Sequence, residues 1–239
     1  NYMLIVMGVQ TLMTAMFNSM NAGIGNLVAE GDKRKIMSVF AELFSIRFLF
    51  SCIMCFGVLM ITPAFVSFWI GKKYVMDSLS LLLMTAILFV NLSRTTVDAY
   101  INAYGLFGDI WAPIVEASLN VGLSIILGYY FGLHGVLSGV LISLLLVVFC
   151  WKPYYLFRKG LDERLSIYIF MYARHLMAAL LCGVIVCLGM RYSMVQGDTT
   201  FFDGLLGILV FSILSTLTLL CVAPGMRNLM RRFIRMCHV

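Results

Sequence analysis

Charge is what this sequence has least of. Only 12% of its 239 residues are Asp, Glu, Lys or Arg, about half the usage of soluble domains. Together with a hydrophobic fraction of 62% and a mean hydropathy of +0.99, that scarcity excludes a water-soluble core. Catalytic motifs are missing too. There is no G-x-S-x-G, no H-E-x-x-H and no Walker-type glycine loop, so neither nucleophilic hydrolysis nor ATP-driven transport has support, and the chain does not read as an enzyme. Asp162 and Glu163 stand in a basic loop, where a solvated surface is the expected role.

Metal and disulfide chemistry lack their residues as well. The seven cysteines are odd in number, and Cys52, Cys55, Cys150, Cys182, Cys187 and Cys221 fall inside or at the edge of apolar runs, with Cys237 alone in the tail. This excludes a disulfide framework and leaves Cys as a small packing residue. Cys52 and Cys55 spell C-x-x-C, but without the polar setting and further ligands of a redox or metal site. His134, His175 and His238 are scattered over a tight loop, a helix entrance and the tail. No metal or cofactor is expected.

What the sequence does have is long apolar runs. Seven windows are long enough to cross a hydrocarbon core of about 30 Å: Tyr2 to Val28, Ile36 to Ile70, Met76 to Leu106, Pro113 to Phe131, Gly135 to Leu156, Ile167 to Met190 and Phe201 to Val222. The second and third exceed a perpendicular crossing and must tilt, bend or protrude, with Thr62 and Pro63 offering a bend. Trp69, Trp111 and Trp151 lie near window ends, where indole prefers the headgroup zone. The expectation is an all-α, polytopic membrane helix bundle forming a single transmembrane domain over residues 1–239.

The net charge of +6 is distributed as a topology code. Lys33, Arg34 and Lys35 follow the first window, Lys152, Arg158, Lys159 and Arg164 the fifth, and Arg227, Arg231, Arg232 and Arg235 form the tail; Lys72, Lys73 and Arg191 oppose them. The positive-inside rule puts the basic segments and the C-terminus in the cytoplasm and Asn1 outside. Retention of a tail after a span accounts for its charge, so no nucleic-acid partner is expected. A chain that starts within a span and counts an odd number of spans reads as a fragment, the C-terminal half of a transporter of two similar lobes.

Polar residues inside the windows are the candidate site. Asn91, Arg94, Asp98 and Asn102 are offset by 3, 4 and 4 residues, which sets them on one side of a helix. A charge at membrane depth costs about 2.5–3.5 kcal/mol and persists where it faces protein, water or substrate. Glu116, Asn120 and Ser124 form a second stripe, and two stripes on neighbouring helices can share a cavity. Two roles stay open. Arg94 and Asp98 can neutralise each other, and Asn120 with Ser124 can hydrogen-bond helices together, whereas a buried guanidinium also offers the bidentate donors that suit phosphate. Glu42 and Arg47, five residues apart and on different faces, stand near one membrane face within snorkelling reach.

A family resemblance rests on these landmarks. Asn26-Leu-Val-Ala-Glu-Gly-Asp32 before Lys33-Arg-Lys35, then Tyr100-Ile-Asn-Ala-Tyr-Gly105, Glu116-Ala-Ser-Leu-Asn120 with Ser124, and Gly132-Leu-His-Gly135 with Gly139 and Ser143 resemble, in order and spacing, the C-terminal lobe of the polysaccharide and O-antigen repeat-unit flippases. That family belongs to the multidrug, oligosaccharidyl-lipid and polysaccharide exporter superfamily. The resemblance implies the eighth to fourteenth helices of a fourteen-helix, two-lobed transporter in the bacterial cytoplasmic (inner) membrane, the N-terminal lobe being absent. It would move an undecaprenyl-pyrophosphate-linked oligosaccharide repeat unit, a polyprenyl-pyrophosphate-linked glycan, by alternating access, alongside glycan-assembly proteins and within the lipid bilayer. Arg94, Asp98, Asn91, Asn102, Glu116, Asn120 and Arg47 are then the substrate-binding candidates. The alternatives are a cation-coupled multidrug exporter, using Asp98 and Glu116 as ion sites, and a membrane glycan polymerase or ligase. The latter would need a larger outside loop than Arg191 to Thr200.

Overall fold

The computed structural model describes residues 1–194 and 201–237; positions 195–200, which belong to the outside loop expected from Arg191 to Thr200, lie outside the described residues, as do His238 and Val239. Helix takes 92% of the described residues, and no strand occurs among them. Apolar windows without turn chemistry have one way to satisfy every backbone N–H and C=O away from water, and that is to coil.

The helices follow the windows. α1 spans Tyr2–Glu30 and ends on Gly31 in the left-handed conformation, φ 74°. α2 spans Lys33–Trp69 with Pro63 inside it. α3, Ser78–Ser93, and α4, Thr95–Ala103, divide the third window at Arg94. Backbone bonds run through the break, from Arg94 N–H to Val90 O (3.2 Å) and from Asp98 N–H to Arg94 O (3.1 Å), so the stripe keeps its phase. α5 spans Trp111–Leu144 and continues through a π-helical stretch, Leu145–Trp151, into α6, Lys152–Leu156, and a second π stretch, Phe157–Leu161. α7 covers Leu165–Met194, α8 Phe201–Val222, and the basic tail forms α9, Pro224–Cys237.

Among the described residues six helices are long and apolar enough to cross a membrane. The fourth, Phe107–Leu161, has 55 residues, roughly 80 Å if straight, far beyond any bilayer. It is not straight. Gly132 leaves helical geometry at φ 58°, ψ −134°, a conformation essentially reserved for glycine, and the chain doubles back. Ser124 Oγ donates to Val136 O at 3.3 Å, across the two legs. A Cβ on Gly135 would stand 1.9 Å from Leu127 O, and one on Gly139 2.6 Å from Ser124 N, so glycine is what lets the backbones meet. The fourth and fifth windows are thus the legs of one hairpin.

The outward faces complete the membrane assignment. Ile114, Val121, Ile125 and Ile126 on α5, and Met177, Leu180, Leu181, Val184, Ile185 and Leu188 on α7, are all exposed. Continuous apolar belts of this size are untenable in water and natural in lipid. This is a multi-pass membrane protein.

The chain divides into two compact units, Met3–Ile36 with Met76–Tyr168, and Met37–Val75 with Ile169–Val239. In the first, Val90, Leu144 and Val148 form an apolar core with Ile87, Val140 and Leu141 against it. One end is tied by Asp77, whose carboxylate caps α3 at Ser80 N–H (3.1 Å) and meets His134 Nε2 at 2.7 Å beside the hairpin bend. The opposite end is tied by Trp151 Nε1–H donating to Asp109 at 3.0 Å, by the Trp111–Trp151 ring pair, and by an ion pair of 2.9 Å between Lys33 and Asp162. In the second unit Leu49, Ala178, Leu219, Ala223 and Met226 pack together, and Phe56 stacks on Phe211 with ring centres 4.3 Å apart. Cys52 and Cys55 are buried there and not joined as a disulfide.

Candidate functional site: a chain of alternating charges

Both polar stripes lie in the first unit, and the hairpin brings them together. Arg94, at the junction of α3 and α4, sets its Nε 3.4 Å from Asp98 Oδ2 and a terminal nitrogen 3.8 Å from Glu116 Oε1 on the first leg. Asp98 offers its other oxygen to Lys152 Nζ at 2.8 Å. The order is Lys152, Asp98, Arg94, Glu116, cation alternating with anion. Each charge therefore has an opposite neighbour, which is what lets four ionised groups persist in apolar surroundings.

The distances rank the links. At 2.8 Å the Lys152–Asp98 contact is a charge-assisted hydrogen bond. The Arg94 contacts are longer and act through Coulomb attraction alone. Arg94 is thus the more loosely held of the two cations, its side chain 29% exposed against 19% for Lys152. Its guanidinium has donors left for another acceptor.

Lys152 was assigned by its position after the fifth window to a loop and a topology role. The structure carries it instead to the start of α6, one residue after the π-helical stretch. Register explains the meeting. Arg94 lies roughly 24 Å of helix from Ser78, and Lys152 roughly 25 Å from Gly135, so legs tied at one end by Asp77 and His134 arrive in step at the other. The same count places Arg94 beyond the middle of the Ser78–Ala103 span, toward the end that holds Lys33, Asp109 and Asp162. A lysine just past a window and in register with an intramembrane aspartate was the available clue; the hairpin bend gives it meaning.

The remaining candidates sort by their contacts. Asn91 is half-buried and donates its amide to Ile87 O at 3.1 Å. Asn102 is exposed at the end of α4. Asn120 accepts from Ser124 at 3.2 Å, and since Ser124 also reaches across the hairpin, this pair ties the legs together. Arg47 belongs to the second unit and is buried there, 2% exposed, rather than snorkelling. Its neighbour Glu42 pairs at 3.3 Å with Arg232 of α9 and accepts from Ser38 at 3.1 Å.

The second unit also holds a polar group that the sequence did not single out. His175, fully buried on α7, has Nδ1 2.7 Å from Met171 O and Nε2 2.9 Å from Ser45 Oγ. Phe44 and Phe48 approach the ring edge-on at 5.3 and 5.4 Å. The carbonyl fixes Nδ1 as a donor, and beside the other nitrogen stands Ser45 Oγ, which also donates to Ala41 O at 2.7 Å. Among the described residues no three His, Cys, Asp or Glu side chains converge as metal ligands. Compared with known proteins, the chain matches no protein-family model, no curated protein and no solved structure.

Proposed function

We propose that this chain is the C-terminal lobe of a fourteen-helix, two-lobed exporter that flips a polyprenyl-pyrophosphate-linked oligosaccharide across the bacterial cytoplasmic membrane. The observation that carries the reading is the alternating chain Lys152–Asp98–Arg94–Glu116, partly exposed within otherwise apolar helices. A pyrophosphate needs cationic donors, and the site holds two that are neutralised while empty and still accessible. Entry of the phosphates exchanges one anion for another around Arg94, so the guanidinium never stands unpaired at membrane depth. That exchange keeps the cost of the unloaded state low. Sugars would then meet Asn91 and Asn102 on the same stripe, while the polyprenyl tail stays in lipid. The order of family landmarks from Asn26 to Ser143 supports the same cargo, and the basic segments favour a cytoplasmic C-terminus.

The test is complementation. In a strain lacking its own repeat-unit flippase, the full-length protein should restore surface polysaccharide, measured with its membrane level. Absent glycan together with increased efflux of cationic dyes would replace this reading by the multidrug one, in which Asp98 and Glu116 would be the ion sites.

A further inference from the structure

The tail helix α9 divides cleanly into two faces. Met226, Leu229, Met230, Phe233 and Ile234 fall on one side of a helical projection, and Arg227, Arg231 and Arg235, spaced by four, on the other beside Asn228 and Arg232. The helix contains no acidic residue. Its first turn is anchored: Met226 is buried, and a Cβ on Gly225 would lie 2.3 Å from Ala41 O of α2. Further along, the apolar face is uncovered, with Phe233 58% and Ile234 49% exposed. The helix starts two residues after the apolar span α8 ends, so its uncovered face emerges where a membrane ends.

A second observation points to an anion at the same place. Arg174 of α7 has a buried Nε without a hydrogen-bond partner, and its guanidinium lies over the Phe170 ring at 5.9 Å. The charge that acts on it is that of another cation, Arg227. Among the described residues Arg232 has Glu42, but no ion pair engages Arg174, Arg227, Arg231 or Arg235. Two like charges that repel each other, one of them with an idle buried donor, suit an anion such as a phosphate.

We propose that α9 lies along the membrane–water interface, Phe233 and Ile234 in the acyl boundary, and that Arg174 and Arg227 hold the phosphate of an anionic phospholipid while Arg231 and Arg235 face its neighbours. A helix with a basic face and an aromatic-bearing apolar face takes this position in anionic leaflets. The bilayer supplies both halves of the match at once, a negative surface and an apolar layer beneath it.

The experiment uses the full-length protein in nanodiscs of phosphatidylcholine alone or with phosphatidylglycerol. An environment-sensitive dye on Phe233→Cys, in a background without the native thiols, should shift to the blue with phosphatidylglycerol, and Arg231→Gln with Arg235→Gln should each weaken the response about fivefold. Retention of phosphatidylglycerol through detergent purification, read by native mass spectrometry, should fall in Arg174→Gln and Arg227→Gln and recover in part in Arg174→Lys. Arg231 and Arg235 are exposed, so their variants keep the test open should Arg174→Gln fail to fold. Equal spectra in both bilayers would overturn the proposal. So would displacement of the bound lipid by inorganic phosphate, which would make the site one for a soluble anion, or a response to nucleic acid in place of lipid.

Discussion

Lys152 and Asp98 are separated by 54 positions in the chain, yet the ammonium of one lies 2.8 Å from the carboxylate of the other. Asp98 is the centre of the charge chain, with a cation on each side, whereas Lys152 has Asp98 alone. Losing Asp98 leaves two cations to one distant carboxylate. Losing Lys152 leaves Asp98 with Arg94. Asp98→Ala should therefore destabilise more than Lys152→Ala, by about 1–3 kcal/mol against about 1 kcal/mol, values kept low because these side chains retain some solvent. Thermal unfolding of the purified variants in one detergent gives the order, and the reverse order would contradict the geometry.

Arg94 is held more loosely, and its replacement separates binding from structure. Since Lys152 already neutralises Asp98, and the contact with Glu116 is long and partly exposed, Arg94→Ala should change stability by no more than about 1 kcal/mol while abolishing glycan export. Arg94→Lys, which keeps the charge and loses the planar fork, should retain partial export. Adding Asp98→Ala to Arg94→Ala should not restore activity, because Lys152 then loses its partner. Wild-type surface glycan in Arg94→Ala, or rescue by the double variant, would make Arg94 a structural partner only.

Helix class and position were legible from the sequence because apolar length alone dictates them: six spanning helices occupy the windows expected, with the fourth and fifth joined through Gly132. The offsets of Arg94, Asp98 and Glu116 also survived folding, since helical periodicity is local. The pairing of Lys152 with Asp98 was not legible, because it depends on a bend twenty residues upstream and on the register that bend sets. His175 escaped for a related reason. A lone histidine in an apolar run says nothing until Ser45, Phe44 and Phe48 are known to surround it. Helical character in α9 was within reach, since its apolar residues recur at helical spacing, but charge count drew the tail toward topology.

Topology has a direct test in the pair Lys33 and Asp162, which fastens the loop after α1 to the loop before α7. Both loops must then lie on one side. In a background without native thiols, Lys33→Cys and Arg158→Cys should resist a membrane-impermeant maleimide in intact cells and react after permeabilisation, as cytoplasmic positions do. Reaction of both from outside would invert the orientation. Reaction of only one would break the ion pair's implication.

Asp77 gives a pH prediction. The hydrogen bond with His134, followed by those from Ser80, holds its carboxyl well below the ordinary value of 3.8. A depressed carboxylate pKa means stabilisation that is complete above the ordinary value and lost as pH falls through the folded one. Asp77's contribution should therefore be undiminished at about pH 5 and fade only in stronger acid. Hydrogen exchange across residues 127–137 should rise in Asp77→Asn already at neutral pH, since the hairpin bend loses its tie to the α3 cap. Unchanged exchange in this variant would show that the bend holds itself.

The hairpin offers the sharpest test of the fold, because its glycines differ in what a methyl group would meet. At Gly135 a Cβ would fall 1.9 Å from Leu127 O, and at Gly139 2.6 Å from Ser124 N, in both cases rigid backbone. At Gly128 the obstacle, at 2.8 Å, is a γ-methyl of Val136, side chain rather than backbone; at Gly122 nothing lies within 4 Å. Overpacking costs about 1–3 kcal/mol, more where backbone must part. Gly135→Ala and Gly139→Ala should therefore lower the unfolding temperature most, Gly128→Ala little, and Gly122→Ala should be neutral or slightly stabilising, since alanine favours helix. Gly132→Ala fails for a different reason, the backbone angle rather than space, and should cost about 1–3 kcal/mol. The legs also set the register between Arg94 and Lys152, so parting them should separate Lys152 from Asp98. Gly139→Ala should then reduce the further loss caused by Lys152→Ala, and additive losses in the double variant would mean that the charge chain does not depend on the hairpin.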